Sequence, residues 1–369
     1  MRTRFLTFIL VFQTVQFLAH WFIYETWISF WGPLSPPALL RLRVAVALLS
    51  VSFVAASLLS FRFVNPLIRL FYTLAAAWLG LLTFFVWAAC ACWLLYPAAL
   101  LAGLPGARRP IAITLFAFAI AVCLYGMVNA AWTRVHRVTI ALPNLPDAWR
   151  GRTAALVSDT HLGDVRNRRF LQRIVALLAR LRPDAVFVVG DVYDGTRLDP
   201  DRLAEPWSQL SAPLGAFFVG GNHEEFTGRA KYFSALERHG IRVLNNEKVV
   251  VDGLQIVGVH YSESSDTDRF RSILQAAAID RDRAAVLLCH APHNLAVSEQ
   301  EGVSLHLSGH THGGQFFPFT LMVSRIYGRY VHGLQRYGQM AVYVNWGAGT
   351  WGPPLRVGTQ SEIVLLRFE

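Results

Sequence analysis

Residues 153–163 read Thr-Ala-Ala-Leu-Val-Ser-Asp-Thr-His-Leu-Gly: a short β-type apolar run, Ala154–Val157, that opens directly onto Asp159-x-His161. The same grammar recurs along the chain. Ala185–Val189 opens onto Gly190-Asp191-x-x-Asp194, and Ala216–Val219 onto Gly221-Asn222-His223-Glu224. Ala284–Leu288 leads to Cys289-His290, and Leu305–Leu307 to Gly309-His310-x-His312. Further apolar runs lie at Gln255–Val259, Ala341–Val344 and Ile363–Leu366, with helical patterns at Phe170–Leu181 and Leu203–Leu210. Alternation of this kind predicts an α/β layered domain with helices outside a buried sheet. In open α/β sheets, ligands bind at the C-terminal ends of the strands, where all five polar blocks fall.

The residue types in those blocks are metal ligands. Carboxylates, imidazoles and an amide oxygen without thiolate suit divalent Mn, Fe, Zn or Co better than a cysteine-based structural zinc site. Asp-x-His and His-x-His put alternate residues on one side of an extended segment, so both side chains can converge on one ion. Seven such ligands exceed what a single tetrahedral ion takes, which implies two ions. Two metals about 3.5–4 Å apart can bind a bridging hydroxide and hold the attacking and leaving oxygens of a displacement at phosphorus. The four cysteines, Cys90, Cys92, Cys123 and Cys289, form no spaced pair of the kind that marks a zinc ribbon or a disulfide framework.

In this order the blocks resemble the calcineurin-like metallophosphoesterase family, over a stretch from about Thr153 to the C-terminus. The trailing Gly313-Gly314-Gln315, Tyr327-Gly328, Gly347 and Pro354-x-Arg356 are similar to the bacterial branch whose members carry N-terminal membrane segments. The resemblance implies a four-layer α-β-β-α domain of two packed sheets flanked by helices. It implies that Asp159, His161, Asp191 and His312 hold one ion, and that Asp191, Asn222, His290 and His310 hold the other, with Asp191 bridging. His223 would then act on the scissile phosphate rather than on metal. Asp194 and Glu224 would orient imidazoles from behind. Of the remaining histidines, His136, His239, His260, His293, His306 and His332 match no block and are expected to serve the surface or core; His260 and His293, which follow predicted strands near the same edge, are the candidate exceptions.

The N-terminal part has a different texture. The chain of 369 residues is 54% hydrophobic and only 16% charged, against roughly 25% charged in soluble domains. The deficit lies before Trp132, where eight arginines face a single acid, Glu25. Four stretches, Phe5–Tyr24, Val44–Phe61, Phe71–Tyr96 and Ile111–Trp132, are each long and apolar enough to span a bilayer, which needs about 20 residues. Pro97 is expected to end the third. His20 and Glu25 are expected near the end of the first, within reach of the interface. The domain boundary is set at residue 137/138, giving a multi-pass α-helical membrane anchor over 1–137 and a catalytic domain over 138–369, with Pro143 and Pro146 in the linker. Most of the net charge of +10 flanks these segments, so no nucleic-acid surface is expected.

Arginine bias sets the orientation. Arg2, Arg4, Arg62, Arg69, Arg134 and Arg137 fall on one side, Arg41, Arg43, Arg108 and Arg109 on the other. Six against four predicts an inner-membrane protein with both termini and the catalytic domain in the cytoplasm. The expected reaction is hydrolysis of a phosphate ester, a phosphodiester or lipid-linked phosphate, by a dimetal-bound hydroxide. Two alternatives stand beside it: a pyrophosphatase acting on an acylated nucleotide-sugar, and a membrane sensor that uses the domain only to bind a ligand. Phe316-Phe317-Pro318-Phe319, directly after His312, are expected either to touch the bilayer or to pack the second sheet.

Overall fold

The apolar N-terminal runs fold as four long helices, α1 (Arg2–Trp31), α2 (Pro36–Arg62), α3 (Pro66–Leu101) and α4 (Arg108–Ala131). The computed structural model describes residues 2–226 and 228–369, without the side chains of residues 2–5, so Arg2 and Arg4 of the orientation argument lie outside the described side chains. Proline opens both α2 and α3, where its missing N–H costs no intrahelical bond and its fixed φ suits the first turn. Asn65 caps α3 by accepting from the Leu67 amide. Each helix is long and apolar enough to cross a membrane. Pro97 lies inside α3, which continues to Leu101 instead of ending there. Membrane helices tolerate such a proline because neighbouring groups satisfy the freed carbonyl.

Two compact units emerge. The first is Met1–Val128 with Gly352–Leu355. Its polar side chains find partners within the unit, on backbone carbonyls and on one another, as an apolar surround requires. Because α1 runs on to Trp31, His20 lies within the helix and not at its end; it is buried, with Nδ1 2.8 Å from the Gln16 carbonyl and Nε2 accepting from the Trp78 indole. The Trp93 indole donates to Thr26, and the Gln13 amide to the Ser50 carbonyl.

The second unit comprises Asn129–Trp351 and Arg356–Glu369. Its strands are β1 (Arg134–Ile140), β2 (Thr153–Val157), β3 (Ala185–Val189), β4 (Ala216–Val219), β5 (Arg242–Val243), β6 (Lys248–Val251), β7 (Leu254–Val259), β8 (Ala285–Cys289), β9 (Leu305–Ser308), β10 (Gly333–Tyr337), β11 (Met340–Val344) and β12 (Glu362–Phe368). They form two six-stranded sheets, ordered β1-β12-β2-β3-β4-β5 and β10-β11-β9-β8-β7-β6. Within the first, β2, β3, β4 and β5 run parallel; within the second, β7, β8, β9 and β11 do. Residue 138, the expected boundary, falls inside β1.

Alternation along the strands builds the layers. Leu156, Phe187 and Phe217 of one sheet meet Ile256, Val286 and Leu307 of the other in one buried cluster. The opposite faces carry helices α5 (Arg168–Leu181), α6 (Pro200–Ala204) and α7 (Ala230–Arg238) on the first sheet. Helices α8 (Tyr261–Ser264), α9 (Thr267–Ala276), α10 (Leu295–Gln300) and α11 (Phe319–Tyr327) follow in the second half, with α9 and α10 packing the second sheet. The order is helix, sheet, sheet, helix.

Phe187 is fully buried between the sheets. Phe187→Ala is expected to destabilise the domain by about 3–5 kcal/mol, read as a lower thermal midpoint of the second unit in the detergent-solubilised chain.

Candidate metal centre

The parallel strands of both sheets discharge their polar blocks at their C-terminal ends. Asp159 and His161 follow β2, Asp191 and Asp194 follow β3, and Asn222, His223 and Glu224 follow β4. His290 follows β8, and His310 and His312 follow β9. Of the seven expected ligands, five take left-handed backbone conformations: Asp159, His161, Asp191, His310 and His312, with φ between 46° and 70°. Such conformations cost of order 1–3 kcal/mol each for residues with a Cβ and cluster at functional sites. The glycines between them serve close approach. At Gly190 a Cβ would collide with the His290 ring, and at Gly221 with the Asp191 carboxylate.

These side chains come together in two groups. Asp159, His161 and His312 form one, with His161 Nε2 3.0 Å from His312 Nε2, and His312 Nε2 3.3 Å from Asp159 Oδ1. Asp191, His290 and His310 form the other, with Asp191 Oδ2 3.1 Å from His290 Nε2, and His290 Nε2 3.1 Å from His310 Nδ1. The same Asp191 oxygen lies 3.8 Å from His161 Nε2, so this carboxylate faces both groups. An ion about 2.0–2.1 Å from each nitrogen sets neighbouring ligand atoms roughly 3–3.5 Å apart, the spacing found here. Asn222, in the loop after β4, adds an independent sign: its Oδ1 is buried with no hydrogen-bond partner, an acceptor that a cation could satisfy. The residues fit divalent metal.

A third grouping, His161, Asp194 and His223, has a different meaning. His161 turns Nε2 toward Asp159 and His312, leaving Nδ1 3.3 Å from Asp194 Oδ1. His223 Nδ1 lies 3.0 Å from the Asp194 carbonyl oxygen and donates to it, which leaves Nε2 to face the centre, 4.0 Å from Asp191 Oδ2. Asp194 thus orients two imidazoles, one through its carboxylate and one through its backbone. Glu224 orients none. Its buried carboxylate accepts from the backbone amides of Asp191, Tyr193 and Gly221 at 3.0, 3.0 and 2.7 Å, fixing the loops that carry the ligands.

Electrostatics follow from burial and these pairings. Burial alone would raise the Asp191 carboxyl, but His290, His223 and His161 outweigh it and hold it well below the usual carboxylate range. Burial would lower the His290 imidazole; Asp191 and then Asp159 outweigh that and raise it to about 9. Glu224 is raised to about 7 by burial and then by the Asp191 charge. Burial lowers His223 despite the neighbouring carboxylates.

His260 proves structural. Its Nδ1 accepts from the Gly220 amide and its Nε2 donates to Asn245 Oδ1, so it braces the loop before Asn222; burial lowers it to about 4. His293 is half-buried, its ring 6.3 Å from His310 and 5.6 Å from Tyr261. His306 is buried beside Ser298, His239 bonds Ser208, and His136 and His332 both approach Glu362.

The sequence blocks did not point to several other neighbours of the centre. Tyr261 lies 5.8 Å and 5.2 Å, ring to ring, from His290 and His310. Phe226 and Trp351 lie 4.7 Å and 6.0 Å from His223. Arg356, quoted above only as part of a trailing pattern, is fully buried; it donates to the carbonyls of His312, Trp346 and Gly349 and sits 3.1 Å from His312 Nδ1.

Comparison with known proteins agrees with this geometry. The profile of the calcineurin-like phosphoesterase family matches residues 153–314. A transmembrane protein with metallophosphoesterase domain from Danio rerio is 34% identical over 261 residues, covering 65% of this chain and 58% of that protein. An uncharacterized metallophosphoesterase of Campylobacter jejuni is 31% identical, covering 67% of this chain and 66% of its own length. Another from Aquifex aeolicus is 30% identical, covering 66% of this chain and 95% of its own length. The chain thus spans less than two thirds of the first two relatives and nearly all of the third.

The two clusters and the position of His223 separate ligand from bystander. Asp191→Asn is expected to strip metal from both clusters, whereas His223→Ala keeps the full metal complement. Elemental analysis of the purified variants decides it; loss of one metal equivalent in His223→Ala would put that residue among the ligands.

Proposed function

The chain belongs to the calcineurin-like metallophosphoesterase family, and from that premise we propose that it is a membrane-anchored hydrolase of phosphodiesters or lipid-linked phosphate esters that uses two divalent ions. The observation that carries this reading is the meeting of two ligand groups at Asp191; the buried, unpartnered Asn222 oxygen supports it. Asp159, His161, His312 and Asp191 would hold one ion; Asp191, Asn222, His290 and His310 the other. When bound, such ions supply polarisation of the phosphoryl group and a lowered pKa for attacking water.

The chain's own residues do the rest. The Asp194 carbonyl keeps a proton on His223 Nδ1, which fixes the ring so that Nε2 points at the phosphate site. With Nδ1 protonated by that contact, Nε2 acts as a donor only when the ring carries a second proton; in that state its N–H stabilises charge on the phosphoryl group or passes its proton to the departing oxygen, leaving the neutral ring. Such a role suits poor leaving groups, the alcohols of a phosphodiester, and it distinguishes this reading from pyrophosphate cleavage of an acylated nucleotide-sugar. The Asp194 carboxylate steadies His161 from behind, as carboxylates steady metal-binding imidazoles in general. Phe226 and Trp351 flank His223 and give the phosphate site an apolar margin.

Manganese-loaded full-length protein is expected to hydrolyse bis(p-nitrophenyl) phosphate, and a chelator to abolish the rate. His223→Ala should lower turnover by roughly 10²–10⁴, and lower it more for an alkyl-alcohol leaving group than for an acidic phenol. Equal losses on the two would remove leaving-group protonation from its role.

Orientation rests on the arginine count, which favours an inner-membrane location with the domain in the cytoplasm. A reporter fused after Glu369 should be active only in the cytoplasm. Activity in the periplasm would reverse the orientation and leave the chemistry untouched.

A further inference from the structure

Soluble domains carry scattered exposed apolar side chains, and these need no explanation singly. Here they are not scattered. Beyond Trp132, nine large hydrophobic residues are exposed among those described, and five of them lie within ten residues: Phe317, Phe319, Leu321, Met322 and Ile326. They belong to α11 and the turn before it, and no residue of α11 is buried. Ile326 is 71% exposed. A helix that packs a sheet would bury one face fully; this one only half-buries Thr320, Val323 and Tyr327 and leaves the other six residues exposed. Two more of the nine, Phe226 and Trp351, are the residues whose rings approach His223, one tilted and one edge-on.

Charge along the same stretch is one-sided. Residues 302–361 contain no aspartate or glutamate, while Arg325, Arg329 and Arg336 are exposed there. Some other arginines of the domain meet acids, as Arg168 meets Glu205 and Arg238 meets Asp201 at 2.7 and 2.6 Å. Among the described residues none of these three arginines has a carboxylate partner; Arg329 instead donates to the Tyr330 hydroxyl and the Arg336 carbonyl. An apolar helix with unpaired cations at its end has the chemistry of an interfacial element that lies in the headgroup zone of an anionic bilayer.

A bilayer is within reach through the chain itself. Only Trp132 and Thr133 separate the end of α4 from the start of β1. The helix is also joined to the metal centre. It begins seven residues after His312, and Tyr327 at its end lies 6.2 Å, ring to ring, from His310.

We propose that α11 and Phe317 dock into the surface of an anionic lipid bilayer and hold the mouth of the metal centre at headgroup level, so that the substrate is a phosphoester still embedded in the membrane. This deepens the hydrolase reading and rests on it for the substrate, though not for the docking. Leu321, Met322 and Ile326 enter the acyl boundary, Arg325 and Arg329 pair with lipid phosphates, and Phe226 and Trp351 give the arriving lipid an apolar margin beside His223.

The test uses the full chain reconstituted in vesicles of phosphatidylcholine with phosphatidylglycerol, in a Cys90→Ser background, since Cys90 is the exposed cysteine. Met322→Cys and Ile326→Cys are labelled with an environment-sensitive fluorophore, and Ala179→Cys on the exposed side of α5 serves as the control. Lipids brominated in the upper acyl chain should quench the label at 322 and 326 and not at 179, and less so when both Arg325 and Arg329 are glutamine. In parallel, a p-nitrophenyl phosphodiester is offered in two forms, soluble and carried on a diacylglycerol anchor in the vesicle. Leu321→Ser with Ile326→Ser should lower the anchored rate by about ten-fold or more and leave the soluble rate unchanged. Absence of quenching at 322 and 326 with the soluble probe still hydrolysed overturns the docking and spares the hydrolase. Labels shielded by self-association rather than by lipid overturn it equally, in favour of a second copy. Quenching with neither probe hydrolysed upholds the docking and removes the hydrolase reading.

Discussion

The carboxylate of Asp191 is the interaction on which the rest of the centre depends. One oxygen accepts from the His223 amide at 2.9 Å; the other lies 3.1 Å from His290 Nε2 and 3.8 Å from His161 Nε2. It therefore touches groups delivered by three strands, β2, β4 and β8, drawn from both sheets. A buried carboxylate in such a place is tolerable only while it is paired, and the pairing holds it ionised. Its own backbone amide is taken by Glu224, so the loop after β4 clamps the loop after β3. Asp159 makes the corresponding tie between sheets, accepting from the His310 amide with both oxygens. Two sheets packed only through apolar side chains could slide against each other; these polar bonds at one edge fix them.

That arrangement explains which strands the sequence discloses. The eight apolar runs correspond to β2, β3, β4, β7, β8, β9, β11 and β12, the strands flanked on both sides within their sheets. The four strands that the runs do not disclose are β1, β5, β6 and β10, and these are the four sheet edges. A strand covered on both faces must be apolar throughout and stands out as a continuous run. An edge strand is free to alternate, as β1 does in Arg-Val-His-Arg-Val-Thr-Ile, and β10 carries Gln335 and Arg336. The boundary expected at residue 138 falls inside β1 for this reason: an edge strand that alternates polar and apolar residues offers no apolar run to mark its start. Pro97 is the parallel case among the helices, since its effect in water does not carry over to an apolar surround.

Within the site, identity was legible and posture was not. The residues of the blocks stand where strand exits put them, because a side chain two positions past a strand end has little freedom to be elsewhere. Glu224 sits in a block and yet serves backbone amides, because its partners are set by how two loops meet rather than by its neighbours in sequence. His260 leaves β7 at the same edge as the other blocks and turns away to brace Gly220. Arg356 is separated from His312 by 44 residues, and nothing in its local sequence indicates that it will be buried against that ring. Tyr261 and Trp351 reach the centre in the same way, from loops whose path is a tertiary property. Left-handed backbone at Asp159, His161, Asp191, His310 and His312 is equally hidden, since residues with a Cβ rarely adopt it and nothing in their type announces it.

The distribution of charge adds a last constraint. The chain's acids are concentrated outside residues 302–361, and the stretch that lacks them begins before β9 and ends just before Glu362 in β12. Within it lie His310 and His312, the exposed helix α11, and the loop that carries Arg356. Acids near this rim would repel a phosphate ester on approach as strongly as arginines attract it, over a Debye length of about 8–10 Å. The acids that the site does use, Asp159, Asp191, Asp194 and Glu224, are all buried and contributed by the first sheet. The division of labour is therefore spatial: the first sheet supplies the negative charge that a cation requires, and the second supplies three of the imidazoles, His290, His310 and His312, and a cationic, apolar rim.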